Sequence, residues 1–254
     1  MRQRLDLLAA GCIFALGAPG GGAAQAAELV VFTSMGTVSG WNELAPAFTR
    51  MTGHKLIVSQ EGGAALEQKL GSNAPADLIV LNTDAMNGVI KRGKVVAGSS
   101  TVFARAAVGL SVKSGAPWPD IGTPEAFRRA ILGAGSIVYS RGGSGNVAAR
   151  AIEKLGIAEQ LKARTIYSDG SPAAAYVARG EAEMAIQQMN VSKPVAGTDY
   201  VGDLPGDLHD YVVFAIAPLA VSQEQQAAGA LIRFVTSPEA GLLLQKGMME
   251  PVAG

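Results

Sequence analysis

Ser136-Ile-Val-Tyr-Ser-Arg-Gly-Gly-Ser-Gly-Asn-Val-Ala-Ala-Arg150 is the stretch around which the chain is organised. Ile137, Val138 and Tyr139 form a short apolar run with the mark of a strand. A polar, glycine-rich turn over Ser140 to Gly145 follows, and a helical pattern then runs to Leu155 and is closed by Gly156. Strand, glycine-rich turn and helix start together make an anion site. The first N–H groups of a helix have no partner within it, and the dipole favours negative charge at that end. Arg141 adds a planar fork of donors matched to a carboxylate. The plainer alternative is an ordinary strand–turn–helix joint with a surface arginine; two other joints of the same composition favour the anion site.

The alternation extends outward from this stretch. Leu29-Val-Val-Phe-Thr33 is a continuous apolar run rich in β-branched residues, as expected of a strand buried on both faces. Ser34 to Gly40 reads as a loop, and Trp41, Leu44, Ala45 and Phe48 then fall at helical spacing until Thr52-Gly53. Lys55 to Ser59 is a second strand, Glu61-Gly62-Gly63 a turn, and Ala64 to Leu70 a short helix. Asp77 to Leu81 is a third strand, followed by a helix from Thr83 to Arg92 with Gly93 at its stop. Phe103 to Val112 is a longer strand, and Thr123-Pro124-Glu125 starts a helix with proline in first position. Beyond Gly156 come strands at Arg164–Tyr167, Glu183–Gln187 and Tyr211–Ile216. Helices are expected over Ala173–Arg179, about Ser222–Val235 and Pro238–Lys246.

Such short joints call for parallel α/β units with right-handed crossovers. Two units and a returning strand imply an α/β fold of two lobes, with the chain crossing near Val108–Lys113 and Leu208–Val213. Lobe I is expected to hold residues 27–107 and 213–254, and lobe II residues 108–212.

Composition narrows the function. The 254 residues carry 21 basic and 21 acidic side chains, so nothing in the charge points to nucleic acid. Cys12 is the only cysteine, and His54 and His209 are the only histidines, too few for a Cys/His metal cluster. No metal or cofactor is expected. Arg2 and Arg4, the apolar run Leu7–Leu16 and Ala24-Gln-Ala26 have the order of a cleavable signal peptide, with the cut expected after Ala26. Loss of Arg2, Arg4 and Asp6 would leave 19 basic and 20 acidic residues in an exported, cysteine-free chain. The expected compartment is the bacterial periplasm.

Several segments carry a family resemblance. Asn73-Ala-Pro-Ala-Asp-Leu-Ile-Val80 resembles the "GAPADVFIS" segment of periplasmic solute-binding proteins of the molybdate-binding, type II family. Ala149-Arg-Ala-Ile-Glu-Lys-Leu-Gly-Ile157, Val177-Ala-Arg-Gly-Glu-Ala-Glu-Met-Ala-Ile186 and Phe234-Val-Thr-Ser-Pro-Glu-Ala240 are similar to three further motifs of that family. The resemblance spans nearly the whole chain after residue 26. It implies a two-lobed fold, each lobe a mixed sheet flanked by helices, closing over a small anion. It also implies delivery to a membrane ABC permease, and we expect a monomer. Ile186-Gln-Gln188, Pro194-Val-Ala-Gly197 and Val201-Gly-Asp-Leu-Pro205 are similar to a divergent branch that includes aconitate isomerases. A reaction of that kind, a 1,3-proton transfer between cis- and trans-aconitate, needs acid/base groups but no cofactor.

The family's binding residues carry over incompletely. Gly63 stands where its second loop has serine, and Gln188 where it has tyrosine; the Arg141–Gly145 loop is richer in donors than usual. That mixture fits an organic anion such as a di- or tricarboxylate better than molybdate or tungstate. Expected ligand contacts are Ser34, Thr37, Gly62, Gly63, Arg141, Ser144, Gln188 and Asn190. Ser34, Thr37 and Ser144 have helix capping as the local alternative, and the two glycines an ordinary turn. Should the chain be an isomerase, Glu61 and Tyr139 are the acid/base candidates. Glu61 otherwise turns to solvent; if it faces inward, burial is expected to raise its pKa. Tyr139 otherwise belongs to the core.

Overall fold

The computed structural model describes residues 26–61 and 63–252. The expected signal peptide up to Gln25, and Gly62, lie outside them. In chain order the elements are β1 (Glu28–Thr33), α1 (Val38–Thr52), β2 (Lys55–Gln60), α2 (Gly63–Gly71), β3 (Leu78–Asn82), α3 (Thr83–Lys91) and β4 (Thr101–Lys113). Next come α4 (Pro124–Gly133), β5 (Ile137–Tyr139), α5 (Gly143–Lys154), α6 (Ala158–Leu161), β6 (Thr165–Tyr167), α7 (Ala173–Ala178) and β7 (Met184–Gln188). The chain ends with α8 (Met189–Ser192), β8 (Thr198–Asp203), β9 (Tyr211–Pro218), α9 (Gln225–Val235), α10 (Pro238–Lys246) and β10 (Glu250–Pro251).

Each lobe is a sheet between two helical layers, and strand periodicity builds it. Successive side chains of a strand face opposite sides. Leu29, Val31, Leu78 and Val80 therefore join Trp41, Leu44, Phe48, Phe234 and Leu244 from α1, α9 and α10 on one side. Phe32, Ile79 and Leu81 meet Leu66, Leu70, Met86 and Val89 from α2 and α3 on the other. In lobe II, Ile137, Met184 and Ile186 pack on Phe127, Ile131, Val147 and Ala151 of α4 and α5. Val138 and Ala185 cover Ala173, Ala174 and Val177 of α7.

Within the lobes the parallel expectation holds for two triplets, β2-β1-β3 and β6-β5-β7. The sheets become mixed because β9 inserts antiparallel between β3 and β4. The 13-residue β4 serves both lobes. Thr101 to Ala107 pairs with β9, whereas Val108 to Lys113 pairs with β7 and β8. The returning chain runs beside it: Leu204 N–H donates to Val108 C=O at 2.9 Å, and Val108 N–H to Asp210 C=O at 3.1 Å. The partner switch thus falls between Ala107 and Val108, and the chain re-enters lobe I at Tyr211.

Two local readings are corrected. The segment read as a loop up to Gly40 is a 3-10 turn over Met35–Thr37 followed by α1 from Val38. Helix α5 begins at Gly143, inside the expected turn, because Ser140 Oγ accepts from Gly142 N–H at 3.2 Å and tightens the bend.

Candidate anion-binding cleft

The carboxyl ends of both parallel triplets meet at one cleft of about 600 Å³. Lobe I contributes Ser34 and Gly36 after β1, Glu61 after β2, and Asn82 at the end of β3. Lobe II contributes the Ser140–Ser144 turn after β5, Ser168–Ser171 after β6, and Gln188 at the end of β7. Each joint leads into a helical turn, so backbone dipoles point inward from both walls. Val212 and Phe214 of β9 give the cleft an apolar stretch.

The α5 turn is the most specialised wall. Its first intrahelical bond runs from Asn146 N–H to Gly142 C=O at 2.9 Å, so the N–H groups of Gly143, Ser144 and Gly145 are not used within the helix. A Cβ on Gly145 would lie 1.7 Å from Ser140 C=O oxygen, so only glycine lets the helix start this close to the strand. Ser144 is buried, with its hydroxyl 3.5 Å from that of Ser140. Arg141 is exposed at the cleft, its guanidinium carbon 3.9 Å from the Tyr167 ring centre. Tyr167 in turn meets Tyr139 edge-on, centres 5.4 Å apart.

A family profile for bacterial extracellular solute-binding proteins matches residues 29–247. The chain belongs to that family. An aconitate isomerase from a Pseudomonas species is 29% identical over 258 aligned positions, covering 99% of this chain and 98% of the relative. The molybdate-binding protein of Azotobacter vinelandii is 27% identical over 229 positions, covering 86% and 88%. The solved structure of the periplasmic molybdate-binding protein of A. vinelandii superposes with a TM-score of 0.72 at 17% identity, covering 89% of this chain and 99% of that one. The fold is therefore the two-lobed type II binding-protein fold.

Within this cleft the fold brings together Ser34, Glu61, Arg141, Ser144 and Gln188. Three other candidates stand off the wall. Thr37 is buried, its hydroxyl bonded to that of Thr33. Asn190 is buried, its Nδ2 donating to Gly36 C=O and Ser39 Oγ, both at 2.9 Å. Tyr139 is buried behind Tyr167; burial, then the Tyr167 hydroxyl, push its pKa up to about 12. Gly63 opens α2, and Gly62 lies outside the described residues. Neither Ser34 nor Thr37 makes a side-chain cap.

Glu61 reverses one expectation. It lines the cleft and its side chain is only 10% exposed, yet its pKa is held below the usual value. The cause is hydrogen bonding from Lys69 Nζ and from Ser59 Oγ (2.6 Å), which outweighs burial. A second carboxylate, Asp169, is likewise held low by the Tyr176 hydroxyl and by Ser171. Two cleft residues were not among the expected contacts: Asn82, which caps α3 by accepting from Ala85 N–H at 3.0 Å, and Ser168. The Ser168 hydroxyl is buried and, among the described residues, has no hydrogen-bond partner. Its place in a polar joint directly after a strand was the available signal.

Proposed function

We propose that this protein captures a small organic anion of the di- or tricarboxylate type in the periplasm and presents it to a membrane ABC permease. The observation that carries the reading is the Arg141 fork beside the start of α5, facing a cleft with an apolar stretch. Its volume of about 600 Å³ lies in the range of small-molecule sites and exceeds what one tetrahedral oxyanion fills. An arginine fork matches the planar oxygens of a carboxylate, and the apolar stretch suits a carbon skeleton. A thermal-shift and calorimetric series on the protein should show stabilisation by polycarboxylates, roughly 2.7 kcal/mol at a hundred times Kd. Molybdate should do little, and sub-micromolar molybdate affinity would overturn the reading.

A second reading is an isomerase acting on aconitate by 1,3-proton transfer, favoured by the end-to-end likeness to the Pseudomonas aconitate isomerase. Glu61 is the base it would use: the Lys69 and Ser59 contacts keep it ionised and ready to accept a proton, though they also weaken it as a base. Tyr139 packs behind Tyr167 and is not part of the cleft lining, which favours Glu61 over it. Interconversion of cis- and trans-aconitate, with deuterium uptake from D₂O and a loss of about 10²-fold or more in Glu61→Gln, is the expected signature. Absence of turnover over hours would remove this reading.

A further inference from the structure

A carboxylate has an awkward place in a cleft built for an anion. Glu61 is nevertheless there, nine-tenths buried as a side chain and ionised. Its contacts are one-sided: Ser59 Oγ and Lys69 Nζ both bond Oε1, and among the described residues Oε2 has no partner. Lys69 is itself positioned from behind, its ammonium 4.9 Å from the centre of the Phe32 ring, and it does not line the cleft. Lys69 thus balances the charge of Glu61 through Oε1 alone, and Oε2 remains as an acceptor on a residue that lines the cleft. An ionised carboxylate accepts hydrogen bonds and donates none.

The rest of the cleft gives this acceptor its meaning. Arg141 and the start of α5 gather donors on the lobe II wall. The other cleft carboxylates differ from it in burial: Glu67, paired with Arg92 at 3.1 Å, and Asp169, which accepts from Ser171 N–H at 3.3 Å, are both exposed, where water competes for any ligand hydrogen bond. The site is therefore bipolar, with donors for an anionic group on one side and an unengaged acceptor on the other.

From this juxtaposition we infer that the cleft selects an organic anion bearing a hydroxyl group, a hydroxy acid, whose O–H donates to Glu61 while its carboxylates face Arg141 and α5. An ammonium donor fits less well, because it would stand beside Lys69 on a carboxylate whose charge is already balanced. A carboxylate of the ligand is repelled from the same spot, which sets the orientation. The inference rests on the organic-anion reading and refines it.

Matched pairs that differ only in the hydroxyl test it: citrate against propane-1,2,3-tricarboxylate, and malate against succinate, by calorimetry on the whole protein. The hydroxylated member of the better-binding pair should bind about tenfold tighter or more, since hydrogen bonds to a charged partner discriminate strongly. In Glu61→Ala that ratio should fall to near one, while the deoxy ligand binds as well as before or better. Glu61→Gln keeps the volume and a weaker acceptor; it should retain a reduced ratio, and serves alone if the alanine variant does not fold. Equal affinities in the unmodified protein, or a preference that Glu61 variants leave intact, would overturn the inference with the organic-anion reading still standing. Failure of every carboxylate to bind would overturn both. Tighter binding of aspartate than malate would put an ammonium at Glu61 and overturn the hydroxyl assignment.

Discussion

Arg141 shows how much one side chain can be asked to do. Its guanidinium stacks on Tyr167, which is braced by Tyr139, so the fork is held before any ligand arrives. Lysine at this place keeps the charge but loses both the planar fork and most of the stacking. Arg141→Lys should weaken polycarboxylate binding at least tenfold, about 1.4 kcal/mol by calorimetry; unchanged affinity would return Arg141 to the role of a surface residue. Glu61 gives a pH test. Its folded pKa lies below the ordinary 4.5, so the stability it adds is present above that value and is lost as pH falls through the folded pKa. The Tm penalty of Glu61→Gln should therefore be largest near pH 7 and shrink below about pH 4. A penalty that grows with acid would mean that Glu61 is protonated in the native state. The sequence identified this residue as an oddity but misjudged its pKa, because Lys69 lies eight positions away on a helix whose facing direction only the fold reveals.

At the scale of elements, the joint from β5 to α5 depends on which of its glycines is small out of need. The Cβ of an alanine at 145 would run into Ser140 C=O, whereas at 142 the nearest atom would be Ser140 Oγ at 3.7 Å. Gly145→Ala should cost about 1–3 kcal/mol in urea denaturation as strand and helix are forced apart. Gly142→Ala should stay within about 0.5 kcal/mol. Similar losses for both would mean that the tight approach at 145 is not what the joint depends on. The strong elements were legible in the sequence: β1, β3 and β5 as apolar runs, α4 from Thr123-Pro124, and α10 over Pro238–Lys246. Those missed were α8, β8 and β10. Two are only four and two residues long. The third, Thr198–Asp203, pairs with β4 alone and buries no residue fully, so it carries neither an apolar run nor a clean alternation.

For the molecule as a whole, the two walls of the cleft are already in contact. Gln188 Nε2 and Asn190 Nδ2 reach from lobe II to the same carbonyl of Gly36 in lobe I, at 3.1 and 2.9 Å. A Cβ on Gly36 would lie 2.6 Å from Gln188 Nε2, so this contact needs the glycine. Asn190→Ala removes its bonds to Gly36 and Ser39 without touching the cleft wall. If the closed arrangement is the binding-competent one, its population falls and apparent affinity falls in proportion. We expect about a tenfold loss, arising mainly in the dissociation rate, with a larger ligand-free radius of gyration in solution scattering. No change in either would make the contact incidental. This cross-lobe pairing was not legible, because Gly36 and Asn190 stand 154 positions apart and only the closed fold joins them.

The place of β9 between β3 and β4 also sets the order in which the two lobes can be completed as the chain folds. Lobe II is drawn from one continuous run of sequence and closes on itself as soon as β8 is made. Lobe I cannot do so: until residues beyond Tyr211 exist, the inner edges of β3 and β4 lack the strand that lies between them. The N-terminal half is thus the last to finish, waiting on a strand more than a hundred residues further along the chain, and a chain stopped at residue 210 should have one folded lobe and one sticky, protease-sensitive half-sheet.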